Sequence, residues 1–156
     1  MVEIYTDGAA RGNPGPGGYG VVLLANGHRK ELAKGFRLTT NNRMELMAVI
    51  AGLEALKKQD LKITIYSDSK YVVDAINKGW LFGWQKKNFA GKKNPDLWKE
   101  FLQLYPITKP TFVWIKGHNE HPQNERADKL AVAAALQPNL PADEGFETEE
   151  KTAGLF

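Results

Sequence analysis

Four acidic residues occupy positions where carboxylates could work together: Asp7, Glu45, Asp68 and Asp128. Asp7 and Asp68 each follow a short alternating or apolar run that predicts a β-strand. Glu45 lies at the start of a predicted helix, and Asp128 borders the apolar stripe of another. Carboxylates that are close together raise one another's pKa, and divalent cations with oxygen ligands relieve that repulsion. Taken jointly, the four residues predict a metal site that could activate water.

Each acid also has a local explanation when it is taken alone. Asp7 could be a turn residue, because Asp-Gly after an alternating strand is a hairpin signal. Glu45 could complete a capping box that begins at Asn42, and Asp68 could be the N-cap of the following helix. Asp128 could be a solvated charge on its helix. Only the convergence of all four favours chemistry over these local roles.

Composition narrows the choice of metal. The chain of 156 residues has no cysteine and three histidines, so an oxygen-ligated Mg²⁺ or Mn²⁺ fits better than Zn²⁺. Two such ions about 4 Å apart can activate a water and stabilise a leaving oxygen during phosphodiester hydrolysis. The sequence has no serine-nucleophile motif of the G-x-S-x-G type, which agrees with such a mechanism.

The elements that must position these acids follow the order β-β-β-α-β-α-α-β-α. The first three strands form an antiparallel meander, and the alternation of strands and helices that follows implies parallel additions. We therefore predict an α/β fold with a mixed five-stranded sheet and helices on both faces. The predicted strands are residues 2–6, 19–25, 30–38, 61–67 and 111–117, and the helices begin near residues 42, 68, 94 and 123.

The charge is distributed unevenly along the chain. Residues 1–140 hold 20 Lys and Arg against 13 Asp and Glu, a net charge of +7, whereas residues 141–156 hold five acids and one lysine. A basic body favours a polyanionic partner. Because residues 138–156 lack periodicity, we predict one catalytic domain over residues 1–137, followed by an acidic, mobile tail over residues 138–156.

The remaining features indicate the setting of the protein. No apolar run is long enough to cross a membrane, and the N-terminus lacks the pattern of a signal peptide. The absence of cysteine agrees with a reducing compartment, so we expect a cytoplasmic protein. We also expect a monomer, since the predicted helices can cover both faces of the sheet.

Four segments together resemble type 1 ribonuclease H of the bacterial kind, in order and in spacing. They are "YTDGAARGNPGPGGYG", "TTNNRMELMAVIAGLEAL", "IYSDSKYVVDAI" and "KGHNEHPQNERADKLA", and the resemblance extends over about residues 2–137. It implies an endonuclease that hydrolyses the RNA strand of RNA/DNA hybrids with two Mg²⁺ ions, leaving 5′-phosphate and 3′-hydroxyl ends. It also implies that Asp7, Glu45, Asp68 and Asp128 are the metal ligands.

The resemblance implies an auxiliary role for one histidine. His118 lies in the "KGH" loop between the last strand and the last helix, and its position in the family serves proton shuttling or product departure. A glycine before it and acids around it agree with a mobile proton carrier. For His28 and His121 the simpler interpretation is a loop histidine without a catalytic task.

Two regions are expected to hold the substrate. Glycines between residues 8 and 18 could let the backbone approach a ligand, and Asn13, Asn41 and Asn42 match family positions that touch the RNA strand. Thr40 matches a position that grips a DNA phosphate, although "TTNN" could equally cap a helix. Residues 78–99, which we call the basic segment, hold six lysines and five aromatic residues. The predicted contacts there are Trp80, Lys86, Lys87, Lys92 and Lys93, while Trp80 and Trp98 could instead anchor a core.

Two other functions are compatible with parts of this pattern. Transposases, integrases and junction nucleases use related acid clusters, but the "KGH" loop and the basic segment favour cleavage of hybrids. A non-catalytic hybrid-binding module would keep the basic segment and could lose the acids, all four of which are present.

Overall fold

The computed structural model describes residues 1–58, 60–117 and 121–153. Within these residues the chain forms one five-stranded sheet and six helices. The strands are β1 Val2–Ala10, β2 Gly15–Ala25, β3 His28–Thr39, β4 Ile63–Ser67 and β5 Thr111–Trp114. The helices are α1 Asn41–Glu54, α2 Lys70–Asn77, α3 Trp80–Lys86, α4 Pro95–Thr108, α5 Pro122–Ala135 and α6 Glu144–Ala153.

The sheet has the strand order β3-β2-β1-β4-β5. β2 pairs antiparallel with both β1 and β3, whereas β4 is parallel to both β1 and β5. This is the predicted mixed sheet: a meander supplies the antiparallel half, and crossovers through helices supply the parallel half. β1 and β4 run in the same direction, and β4 ends at Ser67 beside Thr6 of β1, while β1 continues to Ala10.

Helices cover both faces of the sheet, as predicted. Ile4 and Val21 point to one face, where Gly52 of α1 lies against them. Their neighbours Tyr5 and Val22 point to the opposite face and pack with Ala127 of α5. This alternation is the two-residue period of a strand, and it assigns α1 and α5 to opposite layers.

The glycines near the N-terminus have a packing role, and their suggested approach to a ligand stays a prediction. A Cβ on Gly18 would lie 2.5 Å from the Ala131 carbonyl oxygen, and a Cβ on Gly20 would overlap the Ala127 carbonyl oxygen, so α5 sits directly on β2. Gly12 adopts a left-handed φ of 84° in the turn between β1 and β2. The glycine-rich stretch therefore lets a helix and a sheet approach closely.

Two helix starts differ from the local alternatives considered above. The N-cap of α1 is Thr40, whose Oγ1 accepts a hydrogen bond from the Arg43 N–H at 3.2 Å, so Glu45 does not complete a capping box. The N-cap of α2 is Ser69, whose hydroxyl oxygen accepts from the Val72 N–H at 3.3 Å. Capping therefore accounts for neither Glu45 nor Asp68.

The C-terminal segment is not the structureless tail that the composition suggested. α6 occupies residues 144–153, and Asp143 and Phe146 are buried against the rest of the protein. The prediction failed because the partner of Asp143 is Arg43, a hundred positions away, and no local periodicity announces such a contact. None of the helices in the described ranges is long and apolar enough to cross a membrane.

Candidate active site

The sheet places Asp7 and Asp68 side by side. The parallel pairing of β1 with β4 ends at Thr6 and Ser67, so Asp7 is the next residue of β1 and Asp68 is the first residue after β4. Contrary to expectation, Asp7 does not end its own strand: β1 continues to Ala10 and pairs Asp7 with Gly20 of β2. The carboxylate is therefore held by an intact antiparallel ladder on one side and by the end of a parallel ladder on the other.

Helix α1 brings Glu45 to the same place. A Cβ on Gly8 would overlap the backbone nitrogen of Glu45, so only glycine allows β1 to approach α1 this closely. One carboxylate oxygen from each of Asp7, Glu45 and Asp68 lies within 4.8 Å of the others. Three acids from three separate elements thus form the predicted cluster.

Asp128, on α5, is not one of the three acids whose oxygens lie within 4.8 Å of one another, but it lies in the same cleft. It lines a cleft of about 420 Å³ together with Asp7, Glu45 and Asp68. Lys70, from the first turn of α2, also lines this cleft, and its Nζ lies 4.9 Å from the ring centroid of Trp114. The Trp114 Nε1–H donates to the Asp68 carbonyl oxygen at 3.1 Å. Among the described residues lining the cleft, Lys70 is the single cation.

Burial and mutual repulsion raise the pKa values of two acids in this cluster. Burial, followed by repulsion from Asp68, raises the pKa of Asp7 from 3.8 to about 8. Burial likewise raises the pKa of Glu45 well above its ordinary value, and Asp7 and Asp68 add to the shift. Without a counter-charge, the protein therefore disfavours full ionisation of the acids that it gathers.

The donor atoms suit a hard divalent cation. Glu45 Oε2 is buried and has no hydrogen-bond partner among the described residues. An orphaned buried carboxylate oxygen is costly unless a ligand satisfies it. Carboxylate oxygens are ligands that suit Mg²⁺ and Mn²⁺, and Mg²⁺ commonly binds through one or two of them together with waters and substrate phosphates. The residues present therefore fit the metal site that the sequence predicts.

His118 lies outside the described residues, so its role stays a prediction. The loop that leads to it does approach the cluster: a Cβ on Gly117 would lie 2.7 Å from Asp68 Oδ2. His121, by contrast, is the N-cap residue of α5 and makes no side-chain capping bond.

The polar residues expected to touch the substrate line the approach to the acids. The Ala10 N–H donates to Asn41 Oδ1 at 2.6 Å, and the Asn41 N–H donates to Asn13 Oδ1 at 3.1 Å. These bonds fix the turn after β1 onto the start of α1. Asn42 lines the acidic cleft together with Asn41, whereas Thr40 is committed to capping α1. The structure thus groups these residues but gives several of them structural tasks as well.

The basic segment contains a helix that we did not predict from the sequence. It contains the short helix α3, which begins after Gly79 in a left-handed conformation. Trp80 is 49% exposed, whereas Trp98 is fully buried, so the two tryptophans divide between the surface and the core. The four predicted lysines are all exposed: Lys86, Lys87, Lys92 and Lys93.

Arg43 is the charged residue near the site that sequence reasoning overlooked. Its side chain is 1% exposed and pairs with Asp96 and Asp143 at 2.7 and 2.8 Å. Arg43 precedes Leu46 by three positions and so shares the apolar face of α1, which was the available signal of its burial.

The comparisons with known proteins agree with this geometry. The family model described as RNase H matches residues 1–136. The ribonuclease H of Desulforamulus reducens is 57% identical over 147 residues, which cover 91% of this chain and 92% of that protein.

Solved structures of ribonucleases H have the same fold. LC9-RNase H1, described as a type 1 RNase H with the type 2 active-site motif, aligns with a TM-score of 0.76 and 32% identity. The alignment covers 86% of this chain and 71% of that one. LC11-RNase H1, solved in complex with an RNA/DNA hybrid, aligns with a TM-score of 0.67 and 30% identity over 86% of this chain and 96% of that one.

Proposed function

This chain belongs to the ribonuclease H family and is an endoribonuclease, and we propose that its substrate is the RNA strand of RNA/DNA hybrids. We propose that the cut leaves 5′-phosphate and 3′-hydroxyl ends. The observation that carries the proposal is the convergence of Asp7, Glu45 and Asp68 within 4.8 Å in a cleft open to a large ligand. The hybrid complex of LC11-RNase H1 supports the choice of substrate.

The proposed cofactor is a pair of Mg²⁺ ions, for which Mn²⁺ could substitute. Asp7, Glu45, Asp68 and Asp128 would hold them. When bound, such ions supply activation of a water and stabilisation of charge on the phosphate. The chain contributes the carboxylate oxygens. The raised pKa values of Asp7 and Glu45 show that their ionised forms are unfavourable without a positive counter-charge. His118 would carry a proton or assist product departure.

The rest of the cleft would orient the two strands. Asn13, Asn41 and Asn42 offer amide groups near the acids, where the wide minor groove of a hybrid exposes 2′-hydroxyl groups. Thr40 offers a hydroxyl to a DNA phosphate in addition to its role as the cap of α1.

The basic segment would bind the DNA strand beyond the acids. Its exposed lysines, Lys86, Lys87, Lys92 and Lys93, supply charge for phosphates. Trp80 lies beside a groove of about 460 Å³ that Lys87 and Lys92 also line, so a sugar or base could stack next to bound phosphates.

A cleavage assay tests the proposal. A labelled RNA/DNA hybrid, duplex DNA and duplex RNA are each incubated with the protein in Mg²⁺ and then in chelator. We expect the hybrid alone to be cut, only in its RNA strand and only with metal. A hybrid that is bound but left intact would favour the non-catalytic binding module, and cleavage of duplex DNA would favour a transposase-like nuclease.

A matched pair of variants shows whether the acidic cleft is responsible. Asp7→Asn removes one proposed ligand, whereas Asp74→Asn removes a carboxylate of α2 that forms only a 3.7 Å pair with Lys78. Cleavage should be abolished in the first variant and kept in the second. Equal activity of the two variants would contradict the assignment.

A further inference from the structure

Helix α6 is fixed to the body through its first turn. Asp143 precedes the helix, and its Oδ1 accepts from the Phe146 N–H at 3.3 Å, the pattern of an N-cap. The same carboxylate accepts from Arg43 Nε at 2.8 Å and from Thr39 Oγ1 at 2.7 Å, all within the buried interior. A buried carboxylate with this many partners holds one position.

Further contacts set the direction of the helix. Arg37 forms a two-pronged ion pair with Glu147 at 2.8 and 2.9 Å, and its backbone N–H donates to the Pro141 carbonyl oxygen at 2.9 Å. Gly145 packs so closely on the Arg43–Asp96 pair that a Cβ there would overlap the Asp96 carboxylate. α6 therefore leaves the body at a defined place.

That direction brings two acids to the proposed substrate path. Glu149 and Glu150 line a cleft of about 160 Å³ together with Asn13, Thr40, Asn42 and Lys93. Thr40 and Lys93 are the residues to which we assign phosphates of the DNA strand. Two exposed carboxylates thus lie at the place where a phosphate would have to enter.

We propose that Glu149 and Glu150 are affinity-determining residues that weaken the grip of this cleft on a nucleic-acid phosphate. The inference rests on the proposed function, because it assumes that Thr40 and Lys93 meet the backbone of a hybrid. A phosphate in the cleft is attracted by Lys93 and repelled by the two carboxylates, so Glu149 and Glu150 offset the attraction that Lys93 supplies. The negative charges of Glu149 and Glu150 oppose the positive charge of the basic segment and favour release of the bound duplex.

The repulsion between these two carboxylates and a bound phosphate should depend on the salt concentration. Repulsion between exposed charges is strong at low ionic strength and is screened once the Debye length falls below their separation. The advantage of removing the two acids must therefore shrink as salt rises. If α6 had only a structural role, the affinities of the variant and the wild type would not approach each other as salt rises.

The test measures the binding of a short labelled hybrid by fluorescence anisotropy in chelator, so that no cleavage occurs. The variant E149Q/E150Q is compared with wild type at about 50 mM and about 500 mM salt. We expect Kd to fall about 5- to 20-fold at the lower salt and to differ less than about twofold at the higher. KM in Mg²⁺ should fall in parallel.

The matched control is E54Q/E100Q. Glu54 and Glu100 are a second pair of exposed neighbouring acids, on α1 and α4, and their replacement changes the net charge equally. The Kd of E54Q/E100Q should stay within about twofold of the wild-type value at the lower salt, because both residues lie outside the cleft that Glu149 and Glu150 line.

The possible results distinguish the inferred role of Glu149 and Glu150 from the proposed cleavage of hybrids. Unchanged affinity of E149Q/E150Q, or an equal gain in the control, would overturn the role of α6 while leaving hybrid cleavage intact. A wild-type protein that neither binds nor cuts the hybrid would overturn the proposed function and this inference with it.

Discussion

Arg43 and Glu45 lie two residues apart on α1, yet the charges around them are arranged in opposite ways. Arg43 is 1% exposed and is met by two carboxylates, Asp96 and Asp143, at 2.7 and 2.8 Å. Glu45 is met by two carboxylates of its own sign, and its Oε2 has no partner among the described residues. One short stretch of helix thus carries a compensated and an uncompensated cluster of charge.

The pKa values of the two clusters follow this difference. Burial raises the pKa of Asp96, but the hydrogen bonds and charge of Arg43, together with backbone hydrogen bonds, hold the pKa below its ordinary value. In the other cluster, burial and repulsion both raise the pKa of Asp7. A buried charge that the protein neutralises itself becomes costly when its partner is removed, whereas buried acids left without a counter-ion in a cleft are candidates for a ligand site.

The largest expected effect comes from breaking the uncompensated cluster. Asp7→Asn removes a proposed metal ligand, so the rate of hybrid cleavage should fall by more than the roughly 10- to 100-fold typical of outer-shell changes at metal sites. The free energy of unfolding should not fall, because repulsion is relieved. Single-turnover cleavage and urea unfolding of the same preparation measure both, and an active or destabilised variant would reverse the assignment.

Breaking the compensated cluster should have the opposite profile. Arg43→Met leaves Asp143 buried without its cation, so the free energy of unfolding should fall by about 3–5 kcal/mol. Urea unfolding measures this change, with Arg37→Met as a control, since Arg37 forms only an exposed pair with Glu147. If both variants are destabilised by the same small amount, Arg43 is not the stabilising residue that the structure indicates.

The third prediction concerns the pH dependence of the free energy of unfolding, to which the uncompensated cluster should contribute through Asp7. In chelator, the raised pKa of Asp7 means that the folded state binds a proton more tightly than the unfolded state does. The stability this proton contributes is complete below about pH 4 and disappears as pH rises toward about 8, by up to about 1.4 kcal/mol per pH unit.

Urea unfolding across that range checks the sign. Wild type should become less stable with rising pH, Asp7→Asn should change less, and Mg²⁺ should restore wild type at about pH 8 by mass action. Identical pH dependence of wild type and Asp7→Asn in chelator would show that Asp7 does not carry the shifted proton.

The smallest effect is expected at the surface of the basic segment. Replacing Lys86, Lys87, Lys92 and Lys93 with Gln should raise KM and reduce the slope of log K against log salt by up to about 0.9 for each phosphate that a lysine no longer neutralises. The value of kcat should be kept, because these side chains lie outside the acidic cleft. Titrations of hybrid binding at several salt concentrations measure the slope, and an unchanged slope would remove the segment from the interface.

The uncompensated cluster could be predicted from sequence because each acid follows a strong local signal. The apolar run before Asp68 and the alternating run before Asp7 fix two strands, and parallel strands bring their carboxyl ends together. Glu45 then needs only the onset of an amphipathic helix. The cytoplasmic location, the monomeric state and the role of His118 stay predictions.

The compensated cluster could not be predicted, because its contacts are not local. Asp143 lies in an acidic segment, and neither Asp143 nor the buried Phe146 has a periodic pattern of apolar residues around it. Helix α3 was missed for another reason: it is seven residues long and contains Gly83, so its helix propensity is weak. Long-range pairing and short helices are the parts that required the structure.

The most direct measurement of the central claim is the position of metal in a crystal soaked with Mn²⁺, located by its anomalous scattering. We expect two peaks, one between the carboxylates of Asp7, Glu45 and Asp68 and a second nearer Asp128, and we expect both to disappear in Asp7→Asn. Peaks elsewhere on the surface, or a cluster that remains empty at saturating Mn²⁺, would contradict it.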